Sequence, residues 1–135
     1  YPVANHTYSH VDVRRLTDEA IRRELQDTAT AFESTTGVAM TRLFRPPFGA
    51  HDARTDAVVT AADYSAIVLW NTTDADTSAG ITAQAATDAA LKGGNGAIVL
   101  LHAGPDLTPH ILPAIIAGYR ARGFGFVTVP DLLAQ

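Results

Sequence analysis

The amino-acid sequence predicts an α/β protein of parallel strands joined by helical crossovers. Three observations carry that expectation. Short apolar runs of strand length alternate with stretches of helical periodicity, about five times along the chain. The runs are apolar throughout rather than at every second residue, which predicts cover on both faces. At 135 residues the chain is long enough for one domain with a core of its own.

Each element follows from its own residues. Val3-Ala4 is a short apolar start that runs into His6 and His10. A helix follows, because Leu16, Ala20, Ile21, Leu25, Ala29 and Phe32 recur on one face. Thr17 is its N-cap, Asp18 and Glu19 suit its first turn, and Gly37 ends it. The strand T-R-L-F, 41–44, is halted by R-P-P-F-G, since two prolines cannot continue a central strand. Residues 53–63 read as a helix and S-A-I-V-L-W, 65–70, as a buried strand. N-T-T-D-A-D-T-S-A-G is then a polar loop, and 81–92 an Ala-rich helix ending at Gly93-Gly94. G-A-I-V-L-L, 96–101, is a strand with His102 at its tip. Residues 108–122 form a helix, F-G-F-V-T-V a final strand, and Pro130 opens a last short helix.

Composition narrows the function classes. A net charge of −4 argues against nucleic acid or an anionic membrane as partner. No apolar run reaches membrane-spanning length, so no membrane insertion is expected. There is no cysteine, which removes disulfides and thiolate metal sites. The start, Y-P-V-A-N-H, has neither an initiator Met nor a signal-like stretch, and reads as an entry into the middle of something.

The ionisable residues collect at successive strand ends. His6 and His10 follow the first strand, Arg45 the second, Asp74 and Asp76 the third, and His102 the fourth. That edge is where α/β barrels and open parallel sheets place their sites, so one shared cleft is expected. Each residue also has a plainer reading. H-x-x-x-H suits a solvated turn as well as a metal, although two imidazoles four apart converge if the segment turns helically. The general-base Glu of zinc metalloproteases is absent between them. Arg45 could pair with any carboxylate, and Asp74 and Asp76 could be turn formers. His102 could be a hydrogen-bonded structural histidine, and Trp70 a core residue. His51 and His110 read as ordinary surface or helix residues.

In order, these pieces resemble the polysaccharide deacetylases, the NodB-homology domain of carbohydrate esterase family 4. H-T-Y-S-H resembles the family's metal-binding histidine motif, and R-P-P-F-G, with Pro47 in it, the R-x-P-[YF] groove motif. T-T-D-A-D falls where a loop aspartate is expected, and L-L-H resembles the L-x-H motif. The resemblance covers essentially the whole chain. It implies a distorted (β/α) barrel, here partial, that removes acetyl groups from N-acetylglucosamine polymers or acetylated xylan. It implies that His6 and His10 hold a divalent metal, usually zinc, and that Arg45 orients the catalytic base. The backbone N–H of Phe48 would help hold the oxyanion. Asp76 would tune His102, the general acid, and Leu100 would line the pocket for the acetyl methyl. Such chemistry is physically coherent, because a metal and an N–H stabilise charge on oxygen while an imidazole protonates the leaving group.

The family's first motif, T-F-D-D, which supplies the general base and a third metal ligand, is absent from this sequence. Asp12 lies after His10, in the wrong order to replace it. The chain therefore reads as roughly the C-terminal two-thirds of such a domain, the rest being expected as an N-terminal segment or companion chain. Alternatively it is an inactive carbohydrate-binding remnant. Thr77 follows Asp76 where the family often has Trp, so Trp70 is the candidate for an aromatic wall to the substrate groove. Export to the exterior or cell wall is expected from the family's polymers.

Overall fold

The computed structural model describes residues 1–104 and 106–135. The chain divides into two compact units, Tyr1–Leu69 and Trp70–Gln135.

The first unit begins with β1 (Ala4–Asn5), a 3-10 turn at Val13–Arg15 and helix α1 (Asp18–Thr36). Strand β2 (Thr41–Phe44), a 3-10 turn at Pro47–Gly49, α2 (Ala53–Ala61) and β3 (Ala66–Ile67) come next. The sheet order is β1-β2-β3 with both pairings parallel, so α1 and α2 are the crossovers. α1 starts where expected: Thr17 accepts a hydrogen bond from the Ala20 amide, and Gly37 ends the helix at φ 73°, a left-handed conformation that costs glycine little. α2 carries a reciprocal cap between Asp52 and Thr55. Val13, Ile21, Leu25, Phe44, Val58, Val59 and Tyr64 form the core. Each such large apolar side chain contributes about 1.5–3 kcal/mol of burial.

The second unit contains β4 (Thr72–Thr73), α3 (Ala83–Ala90), β5 (Val99–Leu100), α4 (Leu107–Ala121) and α5 (Val129–Leu133). β4 and β5 pair in parallel. Ala86 and Ala90 of α3 pack with Ile111, Ile115 and Tyr119 of α4. Tyr119 also donates its hydroxyl to the Ala90 carbonyl at 2.6 Å.

The α/β class with parallel strands holds, with the three-stranded sheet in the first unit and the two-stranded sheet in the second. Strand lengths differ from the expectation. S-A-I-V-L-W supplies only Ala66–Ile67 to a ladder, and G-A-I-V-L-L only Val99–Leu100. Both are half-buried rather than covered on both faces. β4 falls inside the expected polar loop, where β-branched threonines suit a strand despite their hydroxyls. F-G-F-V-T-V forms no strand among the described residues, and Phe126 and Val127 are 55% and 59% exposed. Apolarity marks what could pair, whereas a neighbouring backbone decides what does.

Candidate active-site residues

β1 ends at Asn5, and the fully buried Asn5 side chain anchors the histidine loop, residues 6–10. Its amide donates to the Leu25 carbonyl at 2.9 Å and meets the Tyr64 hydroxyl at 2.6 Å. Its oxygen accepts the Thr7 amide at 3.0 Å. Glu24 on α1 ties the loop from the other side. Its carboxylate accepts the amides of Tyr8 and Ser9, each at 2.8 Å, and the Ser9 hydroxyl at 2.6 Å. The loop does not turn helically, the condition under which four-residue spacing would bring the rings together. Thr7 and His10 take positive φ, 65° and 54°, which costs a non-glycine residue conformational energy. The two imidazoles still converge, with centroids 4.9 Å apart.

Arg45 continues from β2, and its amide donates to the Asn5 carbonyl at 2.9 Å. His6 Nδ1 lies 2.6 Å from the Arg45 carbonyl, and Arg45 Nη2 lies 3.4 Å from His6 Nε2. A carbonyl only accepts and a guanidinium only donates. The proton of neutral His6 is therefore on Nδ1, and Nε2 carries the lone pair. Burial pushes the Arg45 guanidinium down from its ordinary value. Pro47 is fully buried, and it hands the chain to Phe48, held at φ 60°. The Phe48 ring is 69% exposed and meets His10 edge-on at 4.8 Å. Sequence-predicted His6, His10, Arg45 and Phe48 are thus brought together.

The second unit brings Asp76 and His102 together. His102 follows β5, whose Leu100 is half-buried, as is Trp70. Asp76 is buried. Its Oδ1 lies 2.7 Å from His102 Nδ1, and its Oδ2 accepts the His102 amide and the Thr108 hydroxyl, both at 2.7 Å. Burial favours the neutral acid, yet hydrogen bonds from Thr108 and His102 outweigh it and hold Asp76 below the usual carboxylate range. An ionised Asp76 accepts only, so Nδ1 of His102 carries the proton. Asp74 is also buried and accepts the Asp76 amide at 3.0 Å, an Asx turn, but its Oδ2 has no hydrogen-bond partner among the described residues. Burial first, and the neighbouring Asp76 charge after it, push the Asp74 carboxyl up.

Three contributors escaped the sequence reading. Asn5 precedes His6 directly, and a polar residue closing an apolar run was its one signal. Glu24 and Thr108 act over 15 and 32 residues of separation and carry no local signal. His51, read as ordinary, pairs with Asp56 at 3.0 Å, and His110 is exposed.

The family-implied metal can be tested against these donors. His6 is fixed in a tautomer that leaves Nε2 able to ligate, and its Nδ1–H is held by a carbonyl, as metal-binding imidazoles usually are. His10 stands beside it. Among the described residues, however, no group of three or more His, Cys, Asp or Glu could hold a metal. The pair therefore fits part of a zinc site, which usually takes three protein ligands when catalytic.

Known proteins share the fold of this chain and part of its sequence. The family model described as polysaccharide deacetylase matches residues 1–67, which contain His6, His10, Arg45, Pro47 and Phe48. The chain is 32% identical over 133 residues to the chitin deacetylase of Amylomyces rouxii, covering 87% of this chain and 31% of that protein. It is 31% identical to the solved T48 deacetylase with substrate, with a TM-score of 0.88, covering 98% of this chain and 64% of that one. A pseudoenzyme of carbohydrate esterase family 4 from Bacillus anthracis is 26% identical with a TM-score of 0.87, covering 97% of this chain and 46% of that one. The chain spans 41%, 21%, 31% and 18% of the lengths of the four curated relatives it matches. Shared fold and sequence over nearly its whole length establish that the chain belongs to the polysaccharide deacetylase family, carbohydrate esterase family 4.

Proposed function

We propose that this protein is a metal-dependent hydrolase that removes acetyl groups from a polysaccharide, either an N-acetylglucosamine polymer or acetylated xylan. The observation that carries it is the Asp76–His102 pair, a buried carboxylate 2.7 Å from a half-exposed imidazole at a strand tip. In this reading Asp76 holds the Nδ1 proton, and protonated His102 delivers a proton from Nε2 to the leaving amine or hydroxyl. The Phe48 amide steadies the carbonyl oxygen as it gains charge. Leu100 lines the pocket for the acetyl methyl and Trp70 borders the sugar chain, while the buried Pro47 sets the turn that presents Phe48. His6 and His10 hold a divalent metal, zinc in the first instance, with a third ligand from outside this chain. When bound, that metal lowers the pKa of its water and polarises the carbonyl. Arg45 orients the general base, which a preceding segment or companion chain supplies. The protein works at the cell exterior or wall, where its polymers lie.

The test is mass spectrometry of acetylated chitooligosaccharides and acetylated xylooligosaccharides incubated with the full-length protein. Loss of acetyl groups from one class names the substrate, and loss from neither, with zinc present, overturns the reading. A second reading is favoured by the incomplete donor set: a carbohydrate-binding remnant without turnover. Saturable oligosaccharide binding with no acetate released at any metal concentration would select it.

A further inference from the structure

We propose that Thr108, in the first turn of α4, is a positioning residue that sets the Asp76 carboxylate in the plane that holds His102. The inference rests on the general-acid reading of His102.

Thr108 is buried, and its hydroxyl donates to Asp76 Oδ2 at 2.7 Å. Thr28, Thr35, Thr36 and Thr87, all within helices, turn their hydroxyls back onto the carbonyl four residues earlier. Thr108, the second residue of α4, has no residue of its own helix four positions earlier, and its hydroxyl goes to Asp76 instead. Nor is it the helix cap: Asp106 holds that position, without a side-chain cap bond.

The geometry gives the hydroxyl a definite task. The carboxylate plane of an aspartate turns easily about its last torsion. His102 grips both oxygens, Oδ1 with its ring and Oδ2 with its amide. The ring grip moves with the His102 side-chain torsions, so the plane is held against the fold at Oδ2, by the amide at the tip of β5 and by Thr108. Thr108 contacts Oδ2 from α4, a different element. Around the carboxylate stand Asp74 from the same loop, His102 from the tip of β5 and Thr108 from α4. Asp74 bonds the Asp76 amide and leaves the carboxylate plane unset. The ionisable groups of α4's first turn, Asp106 and His110, are exposed.

The experiment is an NMR comparison of this chain as wild type, Thr108→Val and Thr108→Ser, each alone and with Asp76→Asn. It follows the Asp76 carboxyl titration and the His102 Nδ1 proton. In Thr108→Val the carboxyl should protonate at higher pH, because its ionised form loses a donor. The Nδ1 proton should exchange faster and its signal broaden. Thr108→Ser should keep both wild-type signals. With Asp76→Asn present, Thr108→Val should change the His102 Nδ1 proton signal no further. Where the wild-type protein releases acetate, Thr108→Val should lower kcat about tenfold with KM little changed. A folded Thr108→Val with wild-type signals overturns the proposal. So does a Thr108→Ser that loses them, which decides the matter even if the valine variant does not fold. Absent acetate release in the wild type would defeat the deacetylase reading while leaving the NMR contrast intact.

Discussion

Asp74 and Asp76 lie two residues apart, both buried, and their carboxyls are shifted in opposite directions. Asp76, held below its ordinary value, adds stability above its unfolded pKa and loses it as pH falls through the folded value. Asp74, pushed up, favours folding at low pH, and that contribution is lost as pH rises through its folded value. The amide of Asp74→Asn can keep the acceptor at Oδ1 and avoids burying a charge. Its stability relative to wild type, read from urea midpoints, should therefore rise from about pH 4 to about pH 7. For Asp76→Asn the deficit relative to wild type should instead stand nearly in full above about pH 4 and shrink as pH falls below it. Asn5→Ala strands a carbonyl, an amide and a hydroxyl in the core and should cost about 2–3 kcal/mol in urea unfolding. An Asn5→Ala cost of only a few tenths would show that the anchor is dispensable. His6, His10, Arg45 and His102 were legible because a charged residue ending an apolar run is conspicuous. Asn5, Glu24 and Thr108 were not, because their work is done on partners remote in sequence.

At the scale of elements, caps and periodicity carried most of the information. Thr17, Gly37 and Pro130 mark helix ends because their chemistry is local: a hydroxyl acceptor, a left-handed residue and a missing N–H. Thr17→Ala should lower stability by about 1 kcal/mol in thermal or urea unfolding. Strands were less legible, since the chemistry that completes them belongs to another segment. Thr72–Thr73 reads as polar yet pairs with Val99–Leu100. Close packing was also hidden. A Cβ on Gly93 would come within 2.3 Å of the Tyr119 hydroxyl, itself bonded to Ala90. Gly93→Ala should therefore displace that hydroxyl and destabilise the second unit. An unchanged melting temperature would show that the ring moves aside at no cost.

For the whole molecule, family and fold class were recoverable from the order of the polar motifs along the chain. Their spacing along successive strands survives even where the strands are cut short. The division into two sheets was not recoverable, because long apolar runs say nothing of where a ladder stops. Phe126 and Val127 show the same gap: strand-like in sequence, yet exposed and in no strand among the described residues. The central claim concerns chemistry: His6 and His10 hold a metal for deacetylation, and His102 supplies the proton. It is tested most directly by acetate release from acetylated oligosaccharides by the full-length protein, stripped of metal, reloaded with zinc, and compared with His102→Ala. The account predicts no release without metal, recovery with zinc, and a loss of about a hundredfold or more in His102→Ala. Release that survives both metal removal and the His102 substitution would contradict it.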